Sequence, residues 1–120
     1  MTILVVDDSR VMRQIVIRTL RQAGYGDHDI EQAANGREAL DAVTAHAPDL
    51  VLCDWNMPEM TGIECLQALR AFGSDVPFGF VTSETSEEMR NLALSAGALF
   101  VIGKPFTADT FRDALESTLV

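Results

Sequence analysis

The chain has 120 residues, 48% of them hydrophobic and 22% charged, with a formal net charge of −9. That length fits one domain able to bury its own core without disulfides or a structural metal. No apolar run approaches the roughly 20 residues of a membrane span, and so acidic a surface repels nucleic acid, which argues against direct DNA binding.

The N-terminus lacks the basic start and long apolar stretch of a signal peptide. It reads as a buried strand over Ile3–Val6 that ends in two acids, Asp7 and Asp8. Met12, Ile15, Val16, Thr19, Leu20 and Ala23 then share one helical face, with Gly24 as the stop. A second strand, Ile30–Ala33, is polar enough to suit a sheet edge, and Ala39, Leu40 and Val43 form a short helical stripe after it. The third strand, Leu50–Cys53, ends in Asp54. Thr61-Gly62-Ile63-Glu64 is a capping-box pattern opening a helix with Ile63, Leu66 and Leu69 on one face. The fourth strand, Phe78–Val81, ends in Thr82-Ser83. Thr85-Ser86-Glu87-Glu88 opens the next helix, whose stripe is Met89, Leu92, Ala93 and Ala96 and whose stop is Gly97. The fifth strand, Leu99–Ile102, runs into Gly103-Lys104-Pro105. Ala108, Phe111, Ala114, Leu115 and Thr118 mark a last helix that should end near Val120. All five stripes read as core. Residues 1–120 are therefore expected to form one domain with no output domain. Cys53 and Cys65 both fall in apolar runs, which reads as buried thiols in a reducing, cytoplasmic setting.

Five strands each followed by a helix imply an α/β fold with a parallel sheet. Right-handed crossovers place helices on both faces, and ligands in such sheets bind beyond the carboxyl ends of the strands. Those ends carry Asp7, Asp8, Asp54, Thr82 and Lys104. Singly, each is an ordinary turn, cap or surface residue. Together they place three carboxylates at one rim, where mutual repulsion requires either protonation or a cation. The donors are all oxygen, and neither His28 nor His46 stands at these ends, which favours Mg2+ over Mn2+ or Ca2+. Mg2+ commonly takes a ligand from a substrate phosphate, so phosphoryl transfer is the chemistry that fits. A carboxylate is also a competent nucleophile toward phosphorus. Lys104 would offset charge on the phosphoryl oxygens, and the Thr82 hydroxyl could hydrogen-bond one of them.

Val5-Val6-Asp7-Asp8-Ser9, Cys53-Asp54-Trp55-Asn56-Met57-Pro58, Gly62, Val81-Thr82-Ser83 and Lys104-Pro105-Phe106 resemble the receiver domains of two-component response regulators. The segment Asp54–Pro58 most resembles the CheY-like chemotaxis regulators. The resemblance spans essentially the whole chain. It implies a doubly wound, flavodoxin-like (βα)5 fold with a five-stranded parallel sheet in the order 2-1-3-4-5. It implies Asp54 as acceptor of a phosphoryl group from a histidine kinase, a histidine phosphotransfer protein or a small donor such as acetyl phosphate. Asp8, Asp54 and the main-chain carbonyl of Asn56 would ligate Mg2+, or Mn2+ in its place, with Asp7 acting through water. Thr82 would be drawn to the phosphoryl group, Lys104 would bond it, and the Lys104–Pro105 peptide would be cis. Asn56 and Glu84 would influence how fast the phosphoryl group is lost to water.

The resemblance further implies a switch that catalyses its own phosphorylation without turning over a separate substrate, repacks the face formed by the fourth helix, fifth strand and fifth helix, and is read by a downstream effector protein. A monomer is expected before phosphorylation, with no membrane and no nucleic-acid partner. One position departs from the pattern. Three residues before Lys104, where the family has an aromatic, this chain has Val101, and Phe100 beside it should face the other side of the sheet. Gly103 is a second unusual residue. These departures keep a phosphorylation-independent interaction module in view as an alternative. A phosphohydrolase of the haloacid-dehalogenase type fits less well, because its nucleophile usually ends the first strand in an Asp-x-Asp pattern, whereas here that strand ends Asp7-Asp8-Ser9.

Overall fold

A computed structural model of the chain describes residues 1–119 apart from Thr85; the expectations placed on Thr85 and Val120 lie outside the described residues. Five strands, β1 (Thr2–Val6), β2 (Asp29–Ala33), β3 (Leu50–Cys53), β4 (Phe78–Thr82) and β5 (Phe100–Gly103), alternate with five helices, α1 (Arg10–Leu20), α2 (Gly36–His46), α3 (Gly62–Ala71), α4 (Glu87–Ser95) and α5 (Ala108–Leu119). The strands pair in parallel in the order β2-β1-β3-β4-β5. This is the doubly wound, flavodoxin-like arrangement the sequence implied. The polar strand β2 lies at the edge, where only one neighbour demands its backbone groups.

Alternation along each strand divides the core in two. Leu4, Val6, Val51, Cys53, Phe78, Phe80 and Val101 face α2, α3 and α4. Ile3, Val5, Leu50, Leu52, Val81 and Ile102 face α1 and α5, where Phe111 and Leu115 close the layer. Strands covered on both sides have no polar face, and hence read as continuous apolar runs. Among the described residues no helix is long and apolar enough to cross a membrane.

Caps set the helix starts. Ser9, Asn35, Thr61 and Ser86 each accept a backbone N–H of the first turn, from Met12, Glu38, Glu64 and Met89. Thr61 and Glu64 complete the expected capping box, and the two Thr61 hydrogen bonds hold the Glu64 carboxyl below its ordinary value.

Three expectations are corrected. β5 begins at Phe100 and includes Gly103; the Leu99 N–H still bonds Phe78 O (2.8 Å), but its side chain is 51% exposed. Leu92 is no core residue: it is 46% exposed, and α4 buries Met89 and Ala93 instead. The first helix does not run unbroken to Gly24. Its α-helical part stops at Leu20 and a wider π-type turn, Arg21–Tyr25, follows, with Gly24 in the left-handed region at φ 102°.

β4 carries a glycine for a reason visible across the ladder. Gly79 pairs with Phe100, and a Cβ at Gly79 would run into the Phe100 ring, which covers the bare backbone. Gly79→Val should therefore lower unfolding stability by about 1–3 kcal/mol, the usual cost of overpacking a filled site, as read from urea denaturation; an unchanged midpoint would contradict this packing.

Candidate phosphoacceptor site

Three of the candidate residues hang from the sheet by one extra rung of its ladder. Past the strand ends, the N–H of Asp7 bonds Ala33 O (3.1 Å), that of Asp54 bonds Val6 O (2.9 Å) and that of Lys104 bonds Thr82 O (2.9 Å). Their main chains are thus placed by strand pairing, and their side chains converge at the carboxyl edge.

Ligand oxygens of Asp7, Asp8 and Asp54 lie within 4.8 Å of one another. Asp7 and Asp54 are buried and Asp8 is exposed. Like charges at such a separation repel by roughly 3 kcal/mol per pair at an effective dielectric of about 20. Lys104 answers part of this: its Nζ stands 3.3 Å from Asp7 Oδ2 and 3.5 Å from Asp54 Oδ1, both within salt-bridge reach. The N–H of Ser9 donates to Asp7 Oδ1 (2.9 Å) and that of Trp55 to Asp54 Oδ1 (2.8 Å). Burial pushes the Asp54 carboxyl above its ordinary value; the charge of Asp7 adds to this, while Lys104 and the Trp55 N–H oppose it. One ammonium against three carboxylates leaves the cluster negative. Its donors are all carboxylate oxygens, the set that suits a hard divalent cation.

The loops are shaped around Asp54. A Cβ on Gly62 would collide with the main-chain oxygen of Asp54 and with the Phe80 ring, so only glycine lets α3 start this close to Asp54. The Gly62 N–H also bonds Trp55 O (2.9 Å). Trp55 itself packs on Phe80 with ring centroids 4.9 Å apart. Burial pushes the Cys53 thiol, one residue before Asp54, well above its ordinary value, and its Sγ contacts Asp54 O (3.2 Å).

The other expected residues stand as follows. Thr82 is fully buried, and its hydroxyl accepts the N–H of Glu84 (3.1 Å). Asn56 and Glu84 are exposed on the β3–α3 and β4–α4 loops. The Lys104–Pro105 peptide is cis. Val101 is buried on the α4 side and pairs with Phe80, whereas Phe100 lies on the opposite face, as expected. Sequence reasoning missed Ser9 and Arg13. Ser9 both caps α1 and holds Asp7, and Arg13 Nη1 donates to Asp7 O (2.7 Å). The cap pattern could have revealed Ser9; nothing local could have paired Arg13 with a main-chain carbonyl. A cleft lined by Val43, Leu69, Phe72 and Val76 shares no residue with this cluster.

Comparison with known proteins adds the decisive observation. A family profile described as "Response regulator receiver domain" matches residues 3–116. The chain belongs to the response-regulator receiver family. This receiver domain is 39% identical to chemotaxis protein CheY1 of Helicobacter pylori, over 99% of this chain and 97% of that protein. It is 41% identical to a CheY homolog of Campylobacter jejuni, over 99% and 92% of the two chains. Among solved structures it resembles chemotaxis protein CheY4 of Vibrio cholerae, with a TM-score of 0.85 and 37% identity, covering 97% of this chain and 96% of that one.

Because the folded state disfavours the ionised form of Asp54, this group costs stability as pH rises from the unfolded carboxylate range, near 4, through the raised folded value. Its contribution is most favourable below that window and is lost above it. Asp54→Asn imitates the neutral form and escapes the loss. In Mg2+-free buffer the variant should melt above wild type at pH 7, and the two should converge below about pH 4. Calorimetric melting at both pH values checks this; a variant less stable at pH 7 would contradict it.

Proposed function

We propose that this receiver domain is a phosphorylation switch of a two-component system, with Asp54 as phosphoacceptor. The reading is supported above all by the convergence of Asp7, Asp8, Asp54 and Lys104 on one edge of the sheet. Asp8, Asp54 and the carbonyl of Asn56 would hold Mg2+, or Mn2+ in its place, with Asp7 acting through water; the bound ion supplies charge neutralisation for an incoming phosphoryl group.

The chain's own residues do the rest. Trp55 N–H and Lys104 orient the Asp54 carboxylate. One of its oxygens attacks phosphorus and the bond to the donor nitrogen breaks. The donor imidazole keeps that electron pair and takes up a proton from solvent. Lys104, already within reach of Asp54, follows the new negative charge onto the phosphoryl oxygens. Thr82 accepts the Glu84 N–H with its hydroxyl oxygen and has its own O–H to donate to the same group. Drawn toward that group, Thr82 would carry the β4–α4 loop with it and repack the face of α4, β5 and α5. A downstream effector protein that prefers the repacked face would read the signal. The donor would be a histidine kinase or a histidine phosphotransfer protein in the cytoplasm, a setting consistent with two buried free thiols. The CheY relatives favour a role in chemotaxis. One observation favours a second reading, a phosphorylation-independent interaction module: Val101, buried under α4, offers no aromatic ring to swing.

Acetyl phosphate with MgCl2 should add one phosphoryl group to the wild-type chain, detected by intact-protein mass spectrometry. Asp54→Asn should abolish the addition. Lys104→Met should slow it about a hundredfold, the order lost when one charge-stabilising donor is removed. Labelling undiminished in Asp54→Asn would remove Asp54 as the acceptor. A wild-type chain that takes up no phosphoryl group and still binds its partner would establish the interaction module instead.

A further inference from the structure

The acidic cluster is held from behind by a cation that touches none of its carboxylates. Arg13 lies in the first turns of α1, on the side facing β2. Its Nη1 donates to the main-chain oxygen of Asp7 at 2.7 Å, and its Nε donates to Gln32 Oε1, at the end of β2, at 3.0 Å. Gln14 Nε2 reaches the same Gln32 oxygen at 3.4 Å. Among the described residues Arg13 forms no ion pair.

This matters because of the peptide plane. Asp7 O lies in the same rigid plane as the nitrogen and Cα of Asp8. Asp7 is otherwise fixed at its N–H by Ala33 O and at its carboxylate by Ser9 and Lys104. Asp8 is exposed, and among the described residues no donor bonds its carboxylate. The direction in which Asp8 leaves the chain therefore rests on the orientation of the Asp7–Asp8 peptide, and the side chain that holds that peptide's oxygen is Arg13.

We infer that Arg13 is a positioning residue of the cation site: with Gln32 aiming its guanidinium, it locks the Asp7–Asp8 peptide so that Asp8 presents its carboxylate to a divalent cation alongside Asp54. The inference rests on the metal-site reading above and deepens it. Two effects of Arg13 have opposite signs, which makes the role measurable. As a nearby positive charge Arg13 opposes a second cation, and removing it would tighten Mg2+ binding. As a positioning group it favours the cation, and removing it loosens binding. Outer partners of metal ligands typically carry 10–100-fold of the affinity, whereas the charge of the half-buried Arg13 is partly screened by solvent and salt.

The test is a MgCl2 titration at constant ionic strength, followed by Trp55 fluorescence and repeated by calorimetry, well below each variant's melting temperature. Arg13→Met should raise the Mg2+ dissociation constant about tenfold. Arg13→Lys, which keeps the charge but cannot bridge Asp7 O and Gln32 together, should recover part of the loss. Gln32→Ala, which leaves Arg13 in place but removes its aim, should weaken binding to a smaller extent. A purely structural role would lower the melting temperature of Arg13→Met and leave the dissociation constant unmoved, which would overturn the inference; so would tighter binding in that variant. A wild-type chain with no saturable Mg2+ response would overturn the metal-site reading itself and the inference with it, an outcome distinct from either of these.

Discussion

Repulsion among three carboxylates at the carboxyl edge of the sheet organises this molecule. Asp7, Asp8 and Asp54 are brought within 4.8 Å of one another by strand pairing, not by mutual attraction. Their separation costs roughly 3 kcal/mol per charged pair at an effective dielectric of about 20. The fold tolerates this through Lys104, which bridges Asp7 and Asp54 from the end of β5, and through backbone N–H groups at Ser9 and Trp55. One ammonium does not balance three carboxylates. Under the proposed function the deficit would give the site its use, since an unbalanced cluster of oxygen donors suits a divalent cation and, with it, a phosphoryl group.

The surrounding structure keeps that cluster in place. The ladder bonds at Asp7, Asp54 and Lys104 fix the three backbones to neighbouring strands. Gly62 brings the start of α3 against the Asp54 carbonyl, where any side chain would intrude. Thr82 differs from these. It is fully buried, and its hydroxyl oxygen accepts the Glu84 N–H, a backbone group of the loop that follows. Under the proposed function its O–H would donate to a phosphoryl oxygen and draw that loop with it, turning a local charge change into loop movement. In this chain such a movement would meet Val101 and Phe80 on the α4 side, while the aromatic ring of β5 lies on the other face, covering Gly79.

Much of this was legible in the sequence, and the exceptions have physical causes. Strands covered on both faces are continuous apolar runs, so β1, β3 and β4 were readable almost to the residue, and polar β2 announced an edge. The clustering of Asp7, Asp8, Asp54 and Lys104 was readable because parallel α/β topology forces strand ends to one rim, so that grouping them needed no long-range information. Leu92 and Leu99 misled because hydropathy cannot tell a surface leucine from a buried one; both are about half exposed. The wide turn at Arg21–Tyr25 was missed because the apolar stripe continues through it to Ala23, buried like the helix before it. Arg13 was invisible for a different reason. Its partner is a main-chain carbonyl, which every residue possesses, so no pairing of residue types signals it.

If the carboxylate cluster is a cation site in deficit, the folded state should bind Mg2+. Thermal melting at increasing MgCl2, with ionic strength held constant by NaCl, tests this. A ligand that binds the folded state alone stabilises it by about 2.7 kcal/mol at one hundred times its dissociation constant. The melting temperature should rise saturably with Mg2+, and Asp8→Asn should largely remove the rise. No rise beyond the NaCl control, or an equal rise in Asp8→Asn, would contradict a cation site here.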